Sequence, residues 1–306
     1  MQFFRTPHLK YISNRNYFFG LTGLLTLISI GSLVVRGPNF SIDFTGGTVV
    51  EQTFTKETVS IGDVRSALDK AGLKGAQLQS VPGQNTIIIR FKSAESMKQE
   101  FATKIEKAMA DAFPNNPVDK SRTRAEYVGP VVGKHLVMQA LMALIFSMAG
   151  IAIYVGFRFK SLVWGVSGVI ALVHDVFIAA GFISVLHREL SITVLAALLT
   201  LAGYSINDTI VIFDRIRENI RLRGRSSKES LEDLIDRSCN ETLSRTIITS
   251  LTVFLVLLAL LFFGGEVIRD FSLAMTFGVV VGTYSSIFVA SPIVYLWVTR
   301  QKKTLH

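Results

Sequence analysis

Residues 203–219 read GYSINDTIVIFDRIREN, and this stretch decides the class of the protein. Its first half is small and apolar, yet it carries Asn207 and Asp208 within a segment long enough to cross a membrane. From Asp214 onward the composition becomes that of a helix leaving lipid for water. An ionised carboxylate in hydrocarbon costs at least ~2.5–3.5 kcal/mol, so a membrane span that keeps one is a candidate for moving ions or protons.

The overall composition indicates a protein that crosses the membrane several times. Of its 306 residues, 49% are hydrophobic and 18% are charged, whereas average soluble domains have about 25% charged residues. The net charge of +9 comes mostly from Lys and Arg in short segments beside apolar blocks. That placement indicates membrane orientation and not nucleic-acid binding. Because Cys239 is the single cysteine, no internal disulfide can form.

Six apolar blocks are long enough to cross a bilayer as helices. We predict these spans at residues 17–35, 136–156, 161–186, 190–213, 246–263 and 271–298. A cleaved signal peptide is the alternative for the first block, but the five further spans and the lack of alanine before Ala67 favour an uncleaved span. In the sixth span, Gly278 and Gly282 form a face for close helix packing, and Pro292 is expected to kink the helix.

Residues 36–134 have the composition of a folded α+β domain. Strands are predicted at 48–54, 76–81, 86–92 and 122–128, and helices at 61–71 and 94–113, the second capped by Ser93. The order β-α-β-β-α-β is that of the ferredoxin-like fold. No phosphate loop, metal-ligand spacing or nucleophile triad stands out, which favours a binding or lever domain over an enzyme.

Lys and Arg are distributed asymmetrically around the spans. The N-terminus holds three, the second-to-third turn two, the fourth-to-fifth loop eight and the C-terminal tail three, against one in each remaining turn. The positive-inside rule then makes both termini cytosolic and places residues 36–134 outside. The predicted organisation is 1–16 cytosolic, 17–35 first span, 36–134 outside, 135–213 spans two to four, 214–245 cytosolic loop, 246–298 spans five and six, and 299–306 cytosolic tail.

The basic loop 214–245 has a pattern of its own. The fourth helix is expected to run on to about Arg221, and Ser227 is a candidate cap for a second helix that ends near Leu243. Leu231, Leu234 and Ile235 form an apolar stripe on that helix, as in a helix that lies on the membrane surface. The alternative is a solvated linker.

The ionisable residues inside the predicted spans are His174, Asp175 and Asp208. Asp208 lies about 9 Å inside the cytosolic end of its helix, and Arg245 opens the fifth span from the same side. In neighbouring antiparallel helices the two would lie within about two turns in depth. Burial and the nearby charge would then act on the carboxyl pKa in opposite directions. We interpret Asp208 as a carboxyl that binds and releases protons, the alternative being a permanent buried ion pair with Arg245.

His174 and Asp175 lie about 21 Å from the cytosolic end of the third span, more than one turn beyond Asp208 in depth. Contact with Asp208 is therefore expected only through water or a third residue. We interpret the pair as a proton relay, and the alternatives are a polar contact to another subunit or to backbone. Two adjacent side chains do not make a metal site, and no metal or cofactor is expected.

Four motifs carry a resemblance to a known family. They are IDFTGG at 42–47, ALVHDV at 171–176, GYSINDTIV at 203–211 followed by DRIREN at 214–219, and TLSRTIITS at 242–250. Over nearly its whole length the chain resembles SecF, the smaller membrane subunit of bacterial SecDF protein-translocation complexes in the RND superfamily. The motif at 203–211 is the most specific of the four.

The resemblance implies a protein-export subunit of the bacterial inner membrane and not an enzyme. It implies pairing with SecD, six helices beside six, next to the SecYEG channel, with YidC and YajC as further partners. It also implies that the proton gradient helps to draw the translocating polypeptide outward, with Asp208 and Arg245 in the proton pathway. The candidate pathway residues are Asp208, Arg245, Asn207, Asp175 and His174, and the candidate structural residues are Asp43, Gly46, Gly47 and Gly203.

Three other functions are compatible with parts of the pattern. An RND-type exporter half for lipids or small molecules would need an apolar pocket in the outside domain. A structural assembly subunit would use Asp208 only as a pin between helices. An intramembrane enzyme is disfavoured because no HExxH, GxSxG or suitably spaced aspartate pair is found.

Overall fold

The structure, a computed structural model, describes residues 8–81, 83–92, 100–222 and 229–301. The chain forms two compact units, one of Phe40–Leu141 and one of Met1–Asn39 with Met142–His306. Its elements in chain order are α1 (Arg15–Val35), α2 (Ile42–Thr45), β1 (Gly47–Thr53), α3 (Ile61–Lys70), β2 (Gln77–Ser80), β3 (Thr86–Phe91), α4 (Glu100–Ala112), β4 (Arg124–Val128), α5 (Pro130–Phe159), α6 (Leu162–Val185), α7 (Ile192–Leu222), α8 (Leu231–Phe263), α9 (Glu266–Ser285), a π-helical turn (Ser286–Ala290) and α10 (Ser291–Gln301).

The smaller unit is built on an antiparallel sheet with strand order β2-β3-β1-β4. In this order β3 lies between the parallel strands β1 and β2, and β1 lies between the parallel strands β3 and β4. Two such split βαβ units make up the ferredoxin-like fold, so that prediction is confirmed. Val50 on β1 faces the same side as Ile89 on β3, and this side packs on α3 and α4 through Leu68 and Ile105. Ser93 and residues 94–99, predicted to begin α4, lie outside the described residues.

A double-glycine corner opens the smaller unit. Ser41 caps α2 by accepting the backbone N–H of Asp43 at 3.3 Å, and its hydroxyl donates to the Asp43 carboxylate at 2.9 Å. Gly46 ends the helix at φ 74° and Gly47 follows at φ 145°, a region that L side chains avoid. A Cβ on Gly47 would collide with the carbonyl oxygen of Phe91. The backbone conformation at Gly46 and Gly47 and the lack of space beside Gly47 therefore explain the double glycine.

The larger unit is a bundle of helices, and the prediction of six membrane spans is confirmed. Among the described residues, six helical segments are long and apolar enough to cross a membrane. In the most apolar stretch of each span, half or more of the residues of α6, α7 and the sixth span are buried, whereas few or none of those of α1, α5 and α8 are. Gly278 and Gly282 bring α9 against Leu201 and Ser205 of α7, so their small size serves packing within the chain.

The helix α8 differs from the sequence prediction of a surface helix followed by a separate fifth span. Leu231–Phe263 is one continuous helix, capped by Ser230, whose hydroxyl oxygen accepts the backbone N–H of Asp233 at 3.0 Å. Its apolar stripe packs into the bundle, because Leu234 and Ile235 are both fully buried. The amphipathic pattern was recognised, but its apolar side faces protein instead of lipid. The predicted cap, Ser227, lies outside the described residues.

A π-helical turn interrupts the sixth span just before Pro292. The turn Ser286–Ala290 ends two residues before this proline. Proline lacks an N–H and its ring crowds the carbonyl one turn earlier, so a wider turn just before it relieves both problems. Ser291 then donates its hydroxyl to the backbone oxygen of Ser286 at 3.0 Å, a bond that spans the turn.

We predict that Gly47→Ala destabilises the smaller unit by about 2 kcal/mol or more, because the side chain meets backbone at a φ that alanine avoids. The resistance of this unit to protease in the purified chain measures the effect. Gly62→Ala is the matched control, since Gly62 lies in α3 and a Cβ there would make only an ordinary contact of 3.6 Å with Oγ of Ser60, and alanine there should be neutral or stabilising by about 0.5–1 kcal/mol. Equal protease resistance of the two variants would show that the stability of the smaller unit does not depend on glycine at position 47.

Candidate functional site

The most deeply buried carboxylate of the candidate site is Asp175 on α6. Its side chain is 0% exposed, and it accepts hydrogen bonds from Ser205 of α7 and from Ser285 of α9, the latter at 2.6 Å. Three helices therefore meet on one carboxyl group. Each hydroxyl donor supplies a polar partner that hydrocarbon would deny, and such partners are required when a polar group is buried.

His174 lies beside this group, with Nδ1 2.8 Å from a carboxylate oxygen of Asp175. Its side chain is nine-tenths buried, and Nε2 has no partner within the described residues. The imidazole thus contacts Asp175 with one nitrogen and leaves the other available. This arrangement brings together two residues that the sequence already placed side by side on one helix.

Asp208 on α7 is 4% exposed and sits in a second cluster of hydroxyl groups. Ser250 of α8 approaches the Asp208 carboxylate at 3.5 Å, a long contact. The same hydroxyl lies 2.7 Å from the hydroxyl of Thr283 on α9 and accepts from the Tyr204 phenol at 3.0 Å. Asp208 therefore faces neutral groups that can each donate or accept a hydrogen bond.

The two clusters are joined through α7 and α9. Tyr204 belongs to the Asp208 cluster and Ser205, the next residue, belongs to the Asp175 cluster. On α9, Thr283 and Ser285 stand two residues apart and serve one cluster each. α7 and α9 therefore each contribute one hydroxyl group to each cluster. A relay between Asp175 and Asp208 through a third residue stays a prediction.

The predicted ion pair between Asp208 and Arg245 is not formed as a contact. Within the described residues, no nitrogen of Arg245 lies within 4.0 Å of an Asp208 oxygen. Arg245 is exposed and lines a cleft together with Asn207. The neighbouring depth of the two residues was predicted, but the side chains turn to different surroundings.

Gly203 and Asn207 lie on an outward face of α7. A Cβ on Gly203 would meet nothing within 4 Å, and Asn207 is exposed. Thr200, one turn earlier on this face, is also exposed. A row of small and polar residues on the surface of a membrane helix is typical of contact with another helix rather than lipid.

A segment before α1 is fastened to the start of α8, which the sequence did not predict. The Asp236 carboxylate accepts the backbone N–H groups of Tyr11 and Ile12, both at 2.9 Å. Asn240 accepts from the N–H of Leu9 at 3.2 Å and donates to its carbonyl at 2.9 Å. Burial raises the pKa of the Tyr11 hydroxyl well above its usual range, with smaller effects from Cys239 and Asp236. The hydrogen bonds to the segment before α1 explain why the Asp236 carboxyl and the Asn240 amide lie on the packed face of α8.

Sequence analysis missed the hydroxyl residues that surround both carboxyl groups. Ser205, Ser250, Thr283 and Ser285 are ordinary residues in membrane helices, where a hydroxyl often bonds to its own backbone. The only available signal is that Thr283 and Ser285 stand two residues apart on α9 and that Ser205 follows Tyr204 on α7. Within the described part of the chain, no three His, Cys, Asp or Glu side chains come together as a metal site.

Comparisons with known proteins identify the family of the chain. Residues 85–300 match the family model of the protein export membrane protein SecD/SecF, C-terminal, and residues 31–56 match the SecD/SecF GG motif. A protein translocase subunit SecF of Endomicrobium trichonymphae is 44% identical over 100% of this chain and 96% of its own length. The SecF subunit of Pseudomonas aeruginosa is 40% identical, over 97% of this chain and 94% of its own length.

Among solved structures, the chain is similar to SecDF of Thermus thermophilus, described as a translocon-associated membrane protein. The TM-score is 0.84 at 39% identity, over 96% of this chain but only 39% of that one. A second SecDF structure, in a super-membrane-facing form, matches with a TM-score of 0.70 at 38% identity, over 97% of this chain and 39% of its own length. The chain thus corresponds to less than half of SecDF.

We predict that Asp175→Ala lowers the free energy of unfolding of the bundle by about 2–4 kcal/mol, because it leaves a cavity and two hydroxyl groups without their acceptor. Titration with SDS in mixed micelles measures this change. Asp214→Ala is the control: its carboxylate pairs with Arg158 at 2.7 Å, but both side chains are partly exposed, at 39% and 43%, so the loss should stay below about 1 kcal/mol. Similar losses for the two variants would refute the central position of Asp175.

Proposed function

The chain belongs to the SecF family of protein translocase subunits, and on this basis we propose that it couples proton movement across the membrane to polypeptide export. Asp208 is the proton-binding group in this proposal. Its burial in a membrane helix supports the assignment, because intramembrane carboxyl groups are rare and most often functional. The low exposure of 4% means that a proton reaches it through the protein and not from bulk water.

The observation that carries the proposal is the neutral surroundings of Asp208. A permanent ion pair would lock the carboxyl in its charged form, but no contact with Arg245 exists among the described residues. A hydroxyl such as Ser250 can donate to a carboxylate and can equally accept from a carboxylic acid. The site therefore tolerates both protonation states, which a proton carrier requires.

We propose that Asp208 and Arg245 alternate between two arrangements. In the one seen here the contact is open, as expected when the carboxyl is protonated. Loss of the proton leaves a carboxylate that attracts the Arg245 guanidinium, and the movement of α7 relative to α8 that closes the pair is the conformational step. A charge that crosses 100 mV supplies ~2.3 kcal/mol, enough to bias two states that differ by a few kcal/mol.

In this proposal the movement of α7 relative to α8 acts on the polypeptide through the smaller unit. We propose that residues 36–134 lie outside the cytoplasmic membrane, contact the emerging polypeptide and move with the helices. Both termini and the loop 214–245 are then cytosolic, as the distribution of Lys and Arg favours. The double-glycine corner at Gly46 and Gly47, which enters the sheet directly, is a fitting connection for such a lever.

We propose SecD as the subunit that completes the site. The outward face of α7 with Thr200, Gly203 and Asn207 supports contact with another helix, and the chain corresponds to only part of SecDF. The SecYEG channel, YidC and YajC are further proposed partners in the bacterial inner membrane. The groove between α3 and α4 is lined by alanines and Phe113 but also by the charged Asp63, Lys70 and Asp111, which does not favour an exporter pocket for lipids.

We predict that Asp208→Asn in the assembled complex keeps assembly but lowers gradient-dependent export at least ~10-fold, because the amide cannot exchange a proton. Translocation of a secreted reporter into inverted membrane vesicles, with and without an uncoupler, measures the effect. Asp214→Asn is the control, since it changes a carboxylate one and a half turns further along α7 that is partly exposed. Normal gradient-dependent export by Asp208→Asn would refute the central role of this residue.

A further inference from the structure

The helix α5 is one unbroken element of 30 residues, about 45 Å long, which starts in the smaller unit and ends in the larger one. Among its described residues, the buried ones are Gly133 near its first end and Val155 and Phe159 at its other end. The apolar side chains between these positions that pack against the bundle core are only partly buried: Leu144, Met148 and Ile151. The two ends of α5 are therefore held more firmly than its middle.

The first end of α5 packs against the double-glycine corner of the smaller unit. A Cβ on Gly133 would lie 2.9 Å from the carbonyl oxygen of Phe44 and 3.3 Å from the backbone nitrogen of Gly46. The approach is thus backbone against backbone, and any residue larger than glycine would push the two segments apart. The start of α5 and the entry to the sheet therefore form one rigid part of the smaller unit.

The other end of α5 meets α6 and α7 in a cluster of three aromatic rings, Phe159, Trp164 and Phe213, which we call the aromatic joint. The ring centroid of Phe213 lies 5.8 Å from that of Phe159 and 5.0 Å from that of Trp164, both in edge-to-face arrangements. All three side chains are at most 2% exposed. Edge-to-face rings at these distances attract one another and hold a defined orientation. The joint therefore fixes the end of α5 against α7.

Two further features strengthen the contact at this end. Arg158 donates to the Asp214 carboxylate at 2.7 Å, directly beside the rings in both helices. The turn between α5 and α6 has only two residues, and a Cβ on Gly165 of α6 would lie 3.5 Å from Cα of Gly156 on α5. α5 and α6 therefore form a tight hairpin at this end, and Phe213 of α7 packs against both of its helices.

We propose that α5 is the lever arm that carries the movement of α7 to the smaller unit, and that Phe213 is the positioning residue that couples the two helices. The inference rests on the proposed function, in which α7 moves relative to α8. Phe213 follows Asp208 by five residues, about 7.5 Å along the same helix, so the two move together. Because Phe213 is enclosed by Phe159 and Trp164, a displacement of α7 tilts α5. The loosely packed middle of α5 permits the tilt, and the unbroken helix transmits it along its length.

Distance measurement by pulsed EPR tests whether Phe213 positions α5. Spin labels are attached at Ile145→Cys on α5 and Leu255→Cys on α8, two exposed sites of the larger unit. The complex is assembled with Cys239 replaced by serine and with partner subunits that lack cysteine. The distances are compared between the otherwise unchanged chain, Phe213→Ala and the control Phe157→Ala, which changes a phenylalanine of α5 that is 81% exposed and outside the aromatic joint.

We expect Phe213→Ala to broaden the distance distribution at least ~2-fold, because α5 loses the ring that fixes its end. Phe157→Ala should leave the width unchanged. If Phe213→Ala fails to assemble, Phe213→Leu, which keeps most of the volume and lacks the ring, gives the same reading. An unchanged width without the ring would overturn the positioning role of Phe213. The measurement involves neither a proton nor export, so it is independent of the outcome for Asp208→Asn.

The stiffness of α5 is tested away from the aromatic joint by Ile153→Pro. Ile153 is 73% exposed and lies six residues before Phe159. We expect Ile153→Pro to assemble and to lower gradient-dependent export into inverted vesicles at least ~5-fold, because proline removes a backbone hydrogen bond and bends the helix. Ile153→Ala at the same position keeps the helix straight and should export normally. If Ile153→Pro fails to assemble, Ile145→Pro and Ile145→Ala replace the pair.

Normal export by an assembled proline variant would overturn the lever arm. If Asp208→Asn loses export while the proline variant keeps it, only the lever arm fails and the proposed function stands. If Asp208→Asn exports normally, the proposed function fails, whatever the proline variant does.

Discussion

The hydrogen bonds from Ser205 and Ser285 to the Asp175 carboxylate are the contacts on which the helix bundle depends. They bring α6, α7 and α9 to one point where no water is available. A carboxyl group in that position must find its partners within the protein, since an unsatisfied polar group in a low-dielectric region is costly. The packing of the three helices around this point follows from that requirement.

Small residues allow the helices to approach closely enough for these bonds. Gly181 on α6 leaves room for Ser29 of α1, and Gly282 on α9 lies beside Ser205 of α7. In a membrane, where burial of apolar surface gives little net driving force between helices, such close packing and hydroxyl contacts stabilise association. Hydroxyl groups on these closely packed helices also surround both Asp175 and Asp208.

Asp208 is held less tightly than Asp175, and that difference fits their separate roles. Asp175 has two hydroxyl donors and an imidazole, whereas Asp208 has one long contact to Ser250 and a cation that stays apart. A group held by many bonds is suited to fix an arrangement. A group with few bonds and a counter-charge that is not in contact with it is suited to change its state, as the proposed mechanism requires.

The sequence by itself determined the six spans, the ferredoxin-like domain and the identity of the unusual carboxyl groups, because hydropathy, strand alternation and charge in a span are local properties. It also predicted that Asp208 and Arg245 lie at neighbouring depths, since helical rise is constant. Only the tertiary structure decided that these two side chains do not touch, that the stripe at Leu234 packs on protein, and that serine and threonine hydroxyls surround both acids. Those outcomes depend on how each helix is rotated about its axis, and rotation is set by contacts between residues far apart in the chain.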